Sequence, residues 1–188
     1  GGGGAGDENW GGNNDSPGSI TNDRGGRWLP TGQSAISEMD SLLRLVNGLH
    51  RIIREETSGD KGVRRSQRVV LAGHGEGAVV AMAAALSCRQ PLGGLVSLSA
   101  WFPRVLLGWC DGQTVAGLRV SYAARRTPGL VCHGLGDPTV SQREGKEVGA
   151  RLGECGIAVE SKEYVSLAHD FSIPELLDVH RFVAKAVP

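Results

Sequence analysis

One stretch constrains the chain more than any other: Arg68 to Leu86, RVVLAGHGEGAVVAMAAAL. A short apolar run, Val69-Val70-Leu71-Ala72, meets the glycine cluster Gly73-His74-Gly75-Glu76-Gly77, and an alanine-rich run from Ala78 to Leu86 follows at once. An apolar run this short, without polar alternation, predicts a buried strand. The glycines predict a tight turn, and the alanines predict a helix packed closely on its own strand.

The flanking segments extend that unit. Met39, Leu42, Leu43, Val46, Leu49, Ile52 and Ile53 recur at spacings of three and four, so one amphipathic helix runs from near Ser37 to near Glu56. Strands are expected at Gly93–Ser99, at Gly129–Gly134 and from Ile157 to Val165. Ser141-Gln142-Arg143-Glu144 and Ser172-Ile173-Pro174-Glu175 both have the form of a capping box and open two further helices. On the last helix, Ile173, Leu176, Leu177, His180 and Val183, with Phe182 and Val187 beside them, form the apolar face. Between Trp101 and Thr127 the pattern is poor, with Trp109, Cys110 and Tyr122 as loop-core candidates. Strands alternating with helices give an α/β fold, a mostly parallel sheet covered on both faces.

Residues 1–27 are rich in Gly, Asn, Asp and Ser and have little to bury, with Trp10 as the one anchor candidate. They form a flexible or extended segment ahead of a domain spanning 28–188. The chain opens Gly1-Gly2-Gly3-Gly4 rather than with methionine, as a fragment of a longer chain would.

Charge and cysteine usage remove several classes of function. Among 188 residues, 20 basic and 20 acidic side chains leave a formal net charge of zero, and no basic stripe favours nucleic acid. No apolar run approaches the roughly 20 residues that span a bilayer. Cys88, Cys110, Cys132 and Cys155 are far apart and lack CxxC spacing, so neither a disulfide framework, a zinc site nor another cofactor is expected. A reducing, intracellular compartment, the cytoplasm first, suits them.

In parallel sheets the working residues sit just past the C-terminal ends of strands. Three places meet that rule: the glycine cluster, Asp137 after the third strand, and His169 after the fourth. Their order is turn, acid, histidine. A hydroxyl becomes a nucleophile when a histidine takes its proton, and a carboxylate fixes the imidazole tautomer. The cluster has the frame of the nucleophile elbow G-x-S-x-G, with Gly73 and Gly77 as the flanking glycines that let strand and helix approach. Its centre is Gly75, which has no side chain, so the nucleophile position is vacant. The backbone N–H of Glu76 lies where an oxyanion donor belongs. The plain alternatives are a turn aspartate and a helix-start histidine. His74 and His133 read as packing residues, and neither Ser97 nor Ser99 occupies an elbow.

Taken together, these segments resemble the acyl-protein thioesterase and carboxylesterase family of α/β-hydrolases. Gly73-His74-Gly75-Glu76-Gly77-Ala78 is similar to that family's elbow. Leu95 to Pro103 resembles the segment after the elbow helix, Cys132 to Val140 the acid segment, and Tyr164 to His169 with Glu175, Val179 and Phe182 the histidine loop and last helix. Arg27-Trp28-Leu29 resembles a tryptophan segment before the first long helix. The resemblance implies an α/β-hydrolase-like fold over residues 28–188, with Asp137 as acid and His169 as base. It implies hydrolysis of thioesters on acylated proteins or of lipid and small carboxylic esters. Two features depart from the family: Gly75 in place of serine, and no counterpart in residues 1–27 to the first strands and oxyanion loop. The expectation is therefore an inactive or weak homologue serving as a structural or binding subunit. A protein partner would cover an open sheet edge. The alternative is an active carboxylesterase or acyl-protein thioesterase, acting on thioesters or lysophospholipid esters, seen here as a nucleophile knockout or an incomplete chain.

Overall fold

Four parallel strands carry the molecule: β1 (Val70–His74), β2 (Gly94–Leu98), β3 (Gly129–Gly134) and β4 (Val159–Tyr164), in the spatial order β1-β2-β3-β4. The structure, a computed structural model, describes residues 35–58, 66–114 and 117–187. The tail containing Trp10, the Arg27-Trp28-Leu29 segment and the boundary at residue 27 lie outside the described residues.

Parallel neighbours require long crossovers. α2 (Glu76–Ser87) joins β1 to β2, and α4 (Gln142–Glu154) joins β3 to β4. Between β2 and β3 the chain makes two 3₁₀ turns, Arg104–Leu106 and Tyr122–Arg126, around the short helix α3 (Leu107–Cys110). The pairs His74–Leu98, Leu98–Cys132 and Gly134–Tyr164 are in register, so the C-terminal ends of the strands form one edge. Every residue of β2 and β3 is buried, whereas the outer strand β4 carries exposed residues between half-buried ones. Among the described residues no strand pairs with the outer side of β1.

One face of the sheet holds most of the core. α1 (Ala35–Thr57) turns Leu42, Val46 and Ile53 inward, while Ile52 is half exposed. All ten residues of α2 from Ala78 to Ser87 are buried. A helix apolar on every side is a core helix, and its alanines allow sheet and α1 to approach together. α4 adds Val148 and Leu152 to the same cluster. Its capping box forms in both directions, Ser141 Oγ accepting from the Glu144 backbone N–H and the Glu144 carboxylate accepting from the Ser141 N–H. No helix among the described residues is long and apolar enough to cross a membrane.

The opposite face is covered by α5 (Ile173–Ala186), and here two expectations are corrected. Ile173, Leu176 and Leu177 are 75%, 49% and 49% exposed, and His180 is exposed too. The buried side is instead the one carrying Val179 and Phe182, which pack on Val96, Leu98, Leu130 and Cys132. The Phe182 ring settles where a Cβ on Gly94 would sit 2.7 Å from it. The second capping box is only half formed. Ser172 Oγ accepts from the Glu175 N–H, but the Glu175 carboxylate, fully buried, has no hydrogen-bond partner among the described residues. In the long connection Trp109 is buried as expected, whereas Tyr122 is 80% exposed.

Candidate active site

A tight turn at Gly75 joins β1 directly to α2. Gly75 sits between β1 and α2 with φ 55° and ψ −123°, a region that side-chain-bearing residues enter only under strain. Gly73 is required by contact: a Cβ there would collide with the Gly77 carbonyl carbon. Gly77 is not, because a Cβ on it would meet nothing within 4 Å. The expected role for both flanking glycines therefore holds for Gly73 alone. Glu76 is the first residue of α2, which places its backbone N–H at the positive end of the helix dipole.

Asp137 and His169 meet at the same sheet edge. Two turns bring them there: Leu135 N–H donates to the Tyr164 carbonyl, and Gly136 N–H to the Leu167 carbonyl. His169 Nδ1 lies 2.8 Å from Asp137 Oδ2. The other carboxylate oxygen accepts from the backbone N–H groups of Thr139, at 2.8 Å, and Val140, at 2.9 Å. The Asp137 side chain is completely buried. Burial alone would push its carboxyl up. The hydrogen bonds from Val140, His169 and Thr139 outweigh that, and the net shift is below the usual carboxylate range. An ionised Asp137 can only accept, so Nδ1 donates, and a neutral His169 then carries its lone pair on Nε2.

That lone pair faces the elbow. A Cβ built on Gly75 would stand 3.3 Å from His169 Nε2 and 3.6 Å from Cε1. A hydroxyl on such a Cβ would be within hydrogen-bond reach of Nε2. The three positions that sequence order brings into one line, 75, 137 and 169, are thus brought together in space.

Neighbouring residues brace this arrangement. His133 is buried, and its Nε2 donates to the Val140 carbonyl at 3.1 Å, which ties the end of β3 to the turn that holds Asp137. His74 touches the site directly, its ring centroid 4.5 Å from that of His169 and 4.7 Å from that of Phe171. Burial, and then the adjacent His169, lower the His74 pKa against weaker opposing pulls from Asp137 and Asp170. Sequence reasoning gave Phe171 no part here; its only signal was its place two residues after His169. Ser97 and Ser99 are fully buried, and neither hydroxyl has a hydrogen-bond partner among the described residues. No cluster of His, Cys, Asp or Glu suited to a metal occurs among the described residues.

A parallel sheet with an elbow turn, and an aspartate–histidine pair on the same edge, define an α/β-hydrolase-like architecture. Residues 30–187 match the model of the phospholipase/carboxylesterase family, and the chain belongs to that family. It is 34% identical over 140 residues to acyl-protein thioesterase 1 of Gibberella zeae, an alignment covering 74% of this chain and 55% of that protein. With acyl-protein thioesterase 1 of Aspergillus fumigatus it shares 30% identity over 159 residues, 83% of this chain and 62% of the relative. The chain thus spans a little over half the length of these relatives. Among solved structures, that of Arabidopsis thaliana SOBER1 superposes with a TM-score of 0.67 at 26% identity, covering 79% of this chain and 66% of the other.

Proposed function

We propose that this chain keeps the acid–base half of an ester or thioester hydrolase but cannot run the covalent cycle as its sequence stands. One observation carries the reading: His169 Nε2, oriented through Asp137, faces Gly75, where no side chain can supply an oxygen. Without that oxygen no acyl-enzyme forms. Binding and the remaining donors of a dismantled triad leave at best about 10³–10⁴-fold over water. The chain then serves as a binding or structural subunit for acylated proteins or lipid esters, the substrate class that its family membership suggests. Among the described residues the outer side of β1 is unpaired, which supports a partner strand at that edge, whichever chain supplies it.

A second reading is an active carboxylesterase or acyl-protein thioesterase, and the names of the relatives favour it. Hydrolysis of p-nitrophenyl acetate separates the two. The first reading expects turnover near background, unchanged by His169→Ala. Turnover well above background that His169→Ala abolishes would establish the second.

A reducing compartment remains part of the proposal. Cys88 and Cys132 are buried and form no disulfide among the described residues. Burial pushes the Cys132 thiol up to about 11, which leaves it unreactive near neutral pH.

A further inference from the structure

We propose that a second cleft, at the far end of α2 from Gly75, binds an organic phosphate. The cleft encloses about 830 Å³ and is lined by Ser87 at the end of α2, Trp109 of α3 and the chain from Leu118 to Tyr122. Gly75 and Ser87 stand at opposite ends of a helix of twelve residues, about 18 Å apart at 1.5 Å per residue, so this is not the hydrolase-like site.

Three arginines, Arg89, Arg119 and Arg125, line it from separate segments. All three are exposed, and among the described residues none has a carboxylate partner. The one acidic residue on the lining, Glu154, is already held by Arg151 at 3.0 Å. Solvation alone explains a single surface arginine, and Arg89 also suits the negative end of α2. It does not explain three around one concavity. Trp109 is 2% exposed, and its indole N–H, buried beneath the cleft wall, has no acceptor among the described residues.

The rest of the cleft describes the molecule that brings the oxyanion. The Arg125 guanidinium lies 5.9 Å from the centroid of the Tyr122 ring. Stacking in this way fixes the fork while leaving its edge donors for a phosphate. Leu118, Val120 and Trp109 provide apolar wall for a hydrophobic or aromatic body. Guanidinium forks match phosphate oxygens bidentately, and the volume is that of a small-molecule site.

The test uses 1-naphthyl phosphate as probe, with ¹⁵N-indole NMR of the full chain as readout and Trp109→Phe to assign the signal. Saturable movement of the Trp109 N–H signal is expected, with 1-naphthol inert and inorganic phosphate competing. Affinity should fall about tenfold for each of Arg119→Gln and Arg125→Gln, and stay unchanged in Arg143→Gln outside the cleft. Phosphatidylcholine vesicles doped with phosphatidic acid distinguish a lipid headgroup from a soluble phosphomonoester: release of bound probe by them identifies the former, and no release the latter. No saturable binding of naphthyl phosphate, equal binding of naphthol, or affinity unaffected by both glutamine variants would overturn the proposal.

Discussion

The two sides of the proposed hydrolase-like site differ in what they carry. On one side, Asp137 is buried, accepts three hydrogen bonds and holds His169 in one tautomer. On the other, the elbow keeps its backbone shape, φ 55° at Gly75 and intimate contact at Gly73, yet carries no reacting atom. The difference shows that shape and chemistry are separable. An elbow is made by the packing of a strand on its helix, and it persists whether or not its tip bears a hydroxyl. The acid–histidine pair is made by hydrogen bonds between two loops and needs no partner on the elbow to stay assembled.

Substitutions can break that comparison at several strengths. The largest effect belongs to Gly73→Ala, because the clash is with backbone that has nowhere to move. A loss of at least about 3 kcal/mol is expected in denaturant unfolding, with the elbow itself displaced. Asp137→Asn comes next. It weakens the hold on His169 and should cost about 1–3 kcal/mol at pH 7. Its pH dependence is the sharper readout. The folded Asp137 pKa lies below the unfolded value, so its contribution is complete above about pH 4 and is lost as pH falls through the lower, folded pKa. The difference between native chain and variant should therefore shrink on acidification from pH 5 to pH 2.

Glu175→Gln is expected to act in the opposite direction. Burial pushes this carboxyl up, against a partial opposing pull from the Ser172 backbone N–H, which does not reach hydrogen-bond geometry. A raised carboxyl favours the folded state below the unfolded pKa, and the advantage is lost as pH rises through the folded value. At pH 7 the neutral amide should therefore stabilise by about 1–2 kcal/mol, with the gain vanishing toward pH 4. The smallest effect is that of Gly77→Ala. With open space at that Cβ, the change should stabilise α2 by about 0.5–1 kcal/mol through helix propensity alone.

The parts of this molecule that were legible in its sequence are those set by neighbours in the chain. The strand–glycine–helix unit declared itself in nineteen letters, Arg68 to Leu86, and Ser141 with Glu144 announced a complete capping box. The buried side of α5 was not legible. Ile173, Leu176 and Leu177 share the helix with Val179 and Phe182, so the apolar pattern points two ways. What selects Phe182 is a distant residue, Gly94, whose missing Cβ makes room for the ring. The contact of His74 with His169 and Phe171 was hidden for the same reason, since about a hundred residues separate the partners in sequence. The spacing that showed Gly73 and Gly77 as a pair likewise could not tell which of them is pressed by its surroundings.

The central claim is that His169 Nε2 is poised over an elbow whose tip, Gly75, lacks the side chain that would carry a hydroxyl. A fluorophosphonate probe, read by mass spectrometry, addresses it directly, because labelling requires an activated hydroxyl. The native chain should remain unlabelled. Gly75→Ser should be labelled at position 75 alone, at a stability cost of about 1–3 kcal/mol for a side chain at φ 55°. Adding His169→Ala to that variant should abolish the label. Labelling of the native chain at any serine, or a Gly75→Ser variant that stays folded yet labels no faster with His169 present than with alanine there, would contradict the claim.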